Sequence, residues 1–118
     1  MEKEILKVQM LGGFSLVYQG KTLVFDRNYT SKSTQLLQIL FLHLENGIPK
    51  EQLLDVLYSR DDVENRNGSL NNTIFRLRKQ LEAAGLPKGK YFSLKDGIYR
   101  WDPMISVETD LSLFEKKL

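Results

Sequence analysis

The chain has 118 residues, 42% of them hydrophobic and 27% charged, with a formal net charge of +2; these values fit one globular domain with a single core and exclude wholesale disorder. It has no cysteine, which excludes disulfides and thiolate metal sites, and the opening MEKEILKVQM is too polar for a signal peptide. No apolar run approaches membrane-spanning length, so the expected compartment is the cytoplasm, with no membrane partner.

Residues 5–11 (ILKVQML) and 14–18 (FSLVY) read as two short strands, and YQGKTLVF as a hairpin turning at Gly20 with Leu23 and Phe25 on the return strand. The first quarter is therefore expected to be a small antiparallel sheet. TSKSTQLLQILFLHLENG follows as a core helix, capped by Thr30 or Ser31 and stopped by Gly47, with Leu36, Leu37, Leu40, Phe41 and Leu44 on a wide apolar face. In IPKEQLLDVLY, Pro49 suits the first turn of a second helix whose Leu53, Leu54 and Leu57 face inward. The segment SRDDVENRNG reads as an acidic loop.

The third helix, residues 69–84, is expected to be capped by Asn67 or Ser69 and ended by Gly85 and Pro87. Leu70, Ile74, Leu77 and Leu81 form its apolar stripe. The opposite side carries Asn72, Phe75, Arg76 and Lys79, flanked by Asn71 and Arg78, with no acid until Glu82. Next, YFSLKDGIYRW has two aromatic or β-branched runs around KDG, a hairpin signal. VETDLSLFEKKL closes the chain as an amphipathic helix with Leu111, Phe114 and Leu118 on one side.

Charge is segregated along this order. Residues 66–90 hold six bases and one acid, a net +5, whereas residues 45–65 hold six acids and two bases, a net −4. Such a chain presents fields of opposite sign to different partners.

Nothing in the sequence assembles a catalytic site. His43, the one histidine, lies between leucines in the core helix, where a satisfied or snorkelling side chain is the ordinary reading. Asp61, Asp62 and Glu64 lack the glycine-punctuated spacing of a calcium loop. Gly12-Gly13 opens no phosphate-binding motif. An enzyme, a cofactor and a metal are not expected.

The basic helix is the informative signal. A solvated face is its plain alternative, but three features weigh against that. Asn and Arg are the side chains that bond bidentately to adenine and guanine edges in the major groove. The Glu–Lys pairs of a helix made only for water are nearly absent over residues 70–80. Phe75 lies on the polar side, where it gains nothing from solvent and fits contact with a thymine methyl or a backbone sugar. With a short helix before it and a hairpin bearing Lys95 and Arg100 after it, this is the arrangement of a winged helix-turn-helix: an α+β fold with an N-terminal antiparallel sheet, three helices and a C-terminal β-hairpin wing.

The sequence resembles the OmpR/PhoB-type winged-helix DNA-binding domain, in the version at the N-terminus of SARP-type bacterial transcriptional activators. The resemblance rests on MLGGFSLVYQGKTL for the opening sheet and SKSTQLLQILFLHLENGIPKEQLLDVLY for the first two helices, with Tyr58 where tryptophan is common. It extends to NRNGSLNNTIFRLRKQLE for the recognition helix, with its Arg76-Leu77-Arg78 triplet, and to SLKDGIYRW for the wing. Two positions depart from the pattern: Ile98 replaces the usual wing glycine, with Gly97 one place earlier, and Gly68 is expected to delay the third helix. VETDLSLFE resembles the start of the helical activator domain that follows in such proteins. The resemblance implies a DNA-binding domain over residues 1–104, and the truncated start of the next domain over 105–118.

It further implies sequence-specific binding to double-stranded DNA. Helix 69–84 would enter the major groove, with Asn71, Asn72, Phe75 and Arg76 on base edges and Arg78 and Lys79 binding phosphates or bracing the helix. The wing, residues 91–101, would offer Lys95, Tyr99 and Arg100 to backbone or minor groove, with Tyr99 equally suited to the core. Lys50 at the start of the second helix fits a phosphate. Asp61, Asp62 and Glu64 lie where the family often meets RNA polymerase. The domain would be a monomer in isolation, binding in tandem on direct repeats. The alternative from another class is a protein-interaction module with the same fold that does not bind DNA.

Overall fold

The computed structural model describes residues 5–11, 13–23, 31–58 and 65–110. Three strands open the chain: β1 (Ile5–Gln9), β2 (Ser15–Tyr18) and the two-residue β3 (Lys21–Thr22). Alternation works here as the pattern requires, with Leu6, Val8, Leu16 and Tyr18 facing inward and Lys7 and Gln9 outward. Leu23 follows β3, its amide donating to Leu16 O at 2.8 Å, whereas Phe25 lies outside the described residues.

Helix α1 (Lys32–Leu42) is capped by Ser31, whose hydroxyl accepts from Thr34 N at 3.2 Å. It ends before Gly47, at His43, and residues 43–46 form a turn. Gly47 then takes φ +73°, and a Cβ there would lie 2.6 Å from both Tyr99 O and Arg100 Cγ. Only glycine admits that close passage. Pro49 belongs not to a helix but to the short β4 (Ile48–Pro49), and α2 (Lys50–Tyr58) starts one residue later.

Helix α3 runs over Arg66–Ala84, beginning three residues earlier than expected and taking Gly68 inside it. Neither Asn67 nor Ser69 caps it, and Asn65 at the cap position makes no side-chain cap bond. Arg66 instead fixes the first turn to α2, with Nη1 at 2.9 Å from Asp55 Oδ1 and Nη2 at 3.9 Å from Glu51 Oε2. The helix stops at Gly85, as anticipated.

Strands β5 (Phe92–Lys95) and β6 (Ile98–Trp101) form the hairpin, and β4 adds to its free side through Ile48↔Tyr99 and Pro49↔Ile98. Asp96 and Gly97 take φ +55° and +77°, the two positive values of a type I′ turn, so KDG makes the tightest hairpin connection. The last strand corrects the start of the expected terminal helix: residues 107–109 belong instead to β7 (Ser106–Thr109), with Asp110 the first helical residue, and β7 pairs in parallel with β1 and turns the N-terminal sheet into a mixed one, ordered β3-β2-β1-β7. Its pairing is reinforced where Asp110 accepts from Met10 N at 2.9 Å and Leu11 N at 2.8 Å. Residues 111–118 lie outside the described chain.

The core lies between the two sheets and the helices. Leu36, Leu37, Leu40 and Phe41 of α1 meet Leu70 and Leu77 of α3 within one buried cluster, and the Phe41 and Trp101 rings are 5.1 Å apart. Among the described residues no helix is long and apolar enough to cross a membrane.

Candidate nucleic-acid interface

The two sides of α3 differ as sharply in space as in sequence. Leu70, Leu77 and Leu81 are fully buried and Ile74 nearly so, while Asn71, Asn72, Phe75, Arg76 and Lys79 are all exposed. Asn71, Asn72 and Arg76 make no hydrogen bond or ion pair to any other described side chain. Lys79 Nζ stands 5.4 Å from the centroid of the Phe75 ring, a cation–π contact along one helix face. The ridge therefore presents amide, guanidinium and ammonium donors outward, with one aromatic ring among them.

Two polar contacts that the sequence did not reveal hold the ridge in place. On the α2 side, Tyr58 donates to Ser69 O at 3.2 Å and shares a 2.6 Å hydrogen bond with the buried Thr73 hydroxyl. On the hairpin side, Arg78 donates from Nε to Lys90 O at 3.0 Å and from Nη2 to Phe92 O at 2.9 Å, and its guanidinium lies 4.9 Å from the Phe92 ring centroid. Arg78 thus braces α3 against the segment that leads into the hairpin. Its two carbonyl partners flank Tyr91, which is fully buried at φ +65°, with Phe92 N donating to Lys90 O at 2.7 Å. A non-glycine residue at that φ is strained, and Arg78 grips the turn from both ends. An arginine two residues beyond Arg76 carries no sequence mark that would separate a brace from a reader.

Burial alternates along β6, whereas in β5 Phe92 alone is buried. Phe92, Tyr99 and Trp101 face inward, with Ile48 beside Tyr99, while Ser93, Lys95 and Arg100 are exposed. Tyr99 accordingly lies in the core, one of the two placements its sequence left open; burial raises its pKa, partly offset by the nearby Arg78. Lys95 and Arg100 share the outward face, the stem of Arg100 lying over Gly47. The backbone amide of Lys50 donates to Gly97 O at 2.9 Å, so this first amide of α2 is occupied by the hairpin turn, and any anion contact falls to the side chain alone. Asp61, Asp62 and Glu64 lie outside the described residues. His43 is half-buried at the end of α1, and no group of three or more potential metal ligands occurs among the described residues.

An exposed donor ridge on the third helix, braced against a hairpin with an outward cationic face, is the geometry of a winged helix. The family model described as "Transcriptional regulatory protein, C terminal" matches residues 26–97, more than half of the chain. The chain belongs to that family, the OmpR/PhoB-type DNA-binding domains of transcriptional regulators. This is a family of regulators, not of enzymes. Among solved structures, Mycobacterium tuberculosis EmbR, in complex with a low-affinity phosphopeptide, is similar with a TM-score of 0.71 and 19% identity over 98% of this chain. The match spans 29% of the EmbR chain, and at that identity the likeness is one of fold. The C-terminal domain of the nisin resistance regulator NsrR, a lantibiotic response regulator, matches with a TM-score of 0.50 and 28% identity over 75% of this chain and 86% of its own. Among curated protein sequences, none matches.

Proposed function

We propose that this OmpR/PhoB-type domain binds double-stranded DNA sequence-specifically, with α3 in the major groove and the hairpin against the backbone or the adjacent minor groove. The observation that carries the reading is the α3 ridge: exposed amide and guanidinium groups without protein partners among the described residues, opposite a fully buried leucine stripe. Arg76, Asn71 and Asn72 present the donors that match guanine and adenine edges. Phe75 stands among them, and Lys79, Lys95, Arg100 and the side chain of Lys50 serve phosphates.

Two finer parts of the reading go with it. One weakly bound copy becomes specific by pairing on direct repeats, where the second binding event is effectively intramolecular. The acids Asp61, Asp62 and Glu64, placed by the chain between α2 and α3, offer a basic surface of RNA polymerase an acidic contact. The site of action is then the cytoplasm of a bacterial cell.

The test is selection of bound duplexes from a random pool, followed by gel-shift titration of the best duplex. Arg76→Ala is expected to weaken that complex by about 1–3 kcal/mol and to relax specificity at one base pair. Equal affinity of Arg76→Ala and the unaltered chain would overturn the assignment. A chain that shifts no duplex at any salt concentration would favour a protein-interaction module instead.

A further inference from the structure

Phe75 is the ridge residue whose chemistry hydrogen-bond readout leaves unused. It is 64% exposed, and one turn before it on the same side stand Asn71 and Asn72, beside it Arg76, and one turn beyond it Lys79. Among the described residues the ring's aromatic and cation contact is with Lys79 alone, the ammonium 5.4 Å from its centroid. A single exposed apolar side chain is unremarkable at the margin of a helix face. This one stands amid hydrogen-bond donors on both sides, so whatever covers those donors also covers the ring.

A surface that meets the donors of this ridge with acceptors and the ring with an apolar group is specific in chemistry. On the base edges of the major groove the exposed apolar group is the C5-methyl of thymine, beside the acceptors O4 of thymine and N7 of the purines. A backbone sugar would be met by the flanks of a helix lying in the groove, not from among its base-facing amides. The Lys79 ammonium over the ring adds a positive charge that suits the strongly negative groove and restricts the ring's rotamers before DNA arrives.

We infer that Phe75 is a specificity-determining residue that reads the 5-methyl group of one thymine in the operator, its ring held in place by Lys79. The inference rests on the proposed major-groove placement of α3 and names what one position of that site selects.

The experiment uses the 118-residue chain and the best duplex selected from a random pool, remade with each thymine in turn replaced by deoxyuridine. This exchange removes the methyl and keeps every hydrogen-bonding group. One replacement is expected to weaken binding of the unaltered chain about fourfold, the value of one buried methyl-sized group. Phe75→Ala, which removes an exposed side chain and so keeps the circular dichroism spectrum of the parent, is expected to bind the thymine and deoxyuridine duplexes equally. The same fourfold loss in both proteins would overturn the inference, because another residue then reads the methyl. So would the absence of a loss at every thymine. Failure of the unaltered chain to bind any duplex is a distinct result: it overturns the groove placement itself, and this inference with it.

Discussion

Arg76 and Leu77 are adjacent in the chain and opposite in consequence. Arg76 is exposed and pairs with no described residue, so Arg76→Ala should leave folding stability within about 0.5 kcal/mol while it weakens the DNA complex. Leu77 is fully buried in the core cluster, and Leu77→Ala should lower stability by roughly 2–5 kcal/mol in urea titrations. Tyr91 behaves in a third way. Its hydroxyl is buried with no hydrogen-bond partner among the described residues, so Tyr91→Phe should be neutral near pH 7 or raise stability by up to about 1 kcal/mol. The pKa of Tyr91 is raised by burial and then by the charge of Glu82, and that of Tyr99 by burial. Below about pH 10 the phenols are neutral in both folded and unfolded chains. Above it the unfolded phenols lose their protons first, and stability declines as pH rises toward the folded values. Urea midpoints followed from pH 8 to alkaline pH should therefore fall, and Tyr91→Phe should make that fall shallower.

At the scale of elements, the joint between α3 and the hairpin depends on Arg78. Arg78→Ala removes two hydrogen bonds to carbonyls and the guanidinium over Phe92. The expected loss is about 1.5–3 kcal/mol, the range for hydrogen bonds made by charged groups, and Arg78→Lys should not restore it, because an ammonium cannot span both carbonyls as a planar fork does. Thermal unfolding of the two variants checks this. The elements legible in the sequence were those with local signals: the Ser31 cap, the leucine stripes of α1 and α3, the Gly85 stop and the Asp96-Gly97 turn. Those that escaped it depend on distant partners. β7 is a strand because β1, about a hundred residues earlier in the chain, lies beside it and Asp110 ties down the amides of Met10 and Leu11; locally, VETD reads as a helix start. The early start of α3 likewise has a distant partner, since Arg66 in its first turn pairs with Asp55 and Glu51 of another helix. In the site, the exposed ridge followed from periodicity, but Arg78 and Arg76 are the same residue type on neighbouring sides of one helix, and only the positions of Lys90 and Phe92 separate their surroundings.

At the scale of the whole molecule, a net charge of +2 conceals a basic stretch, residues 66–90, and an acidic one, residues 45–65. If the ridge, Lys50 and the wing cations together neutralise about six phosphates, the logarithm of affinity should fall with the logarithm of salt at a slope near −5. Titrations of a random-sequence duplex between about 50 and 200 mM salt measure this slope. A slope near zero would mean that these cations do not meet the backbone.

The hydrogen bond from Lys50 N to Gly97 O, together with the β4–β6 pairing, ties the hairpin tip to the start of α2. With Arg78 joining α3 to the start of the hairpin, both ends of the hairpin are tied to helices, and the angle between ridge and hairpin is expected to change little on binding. If α3 enters the major groove as proposed, a duplex of unsuitable groove width is then expected to do most of the deforming. Operators for this domain should thus be distinguished by how readily their helix bends as well as by their letters.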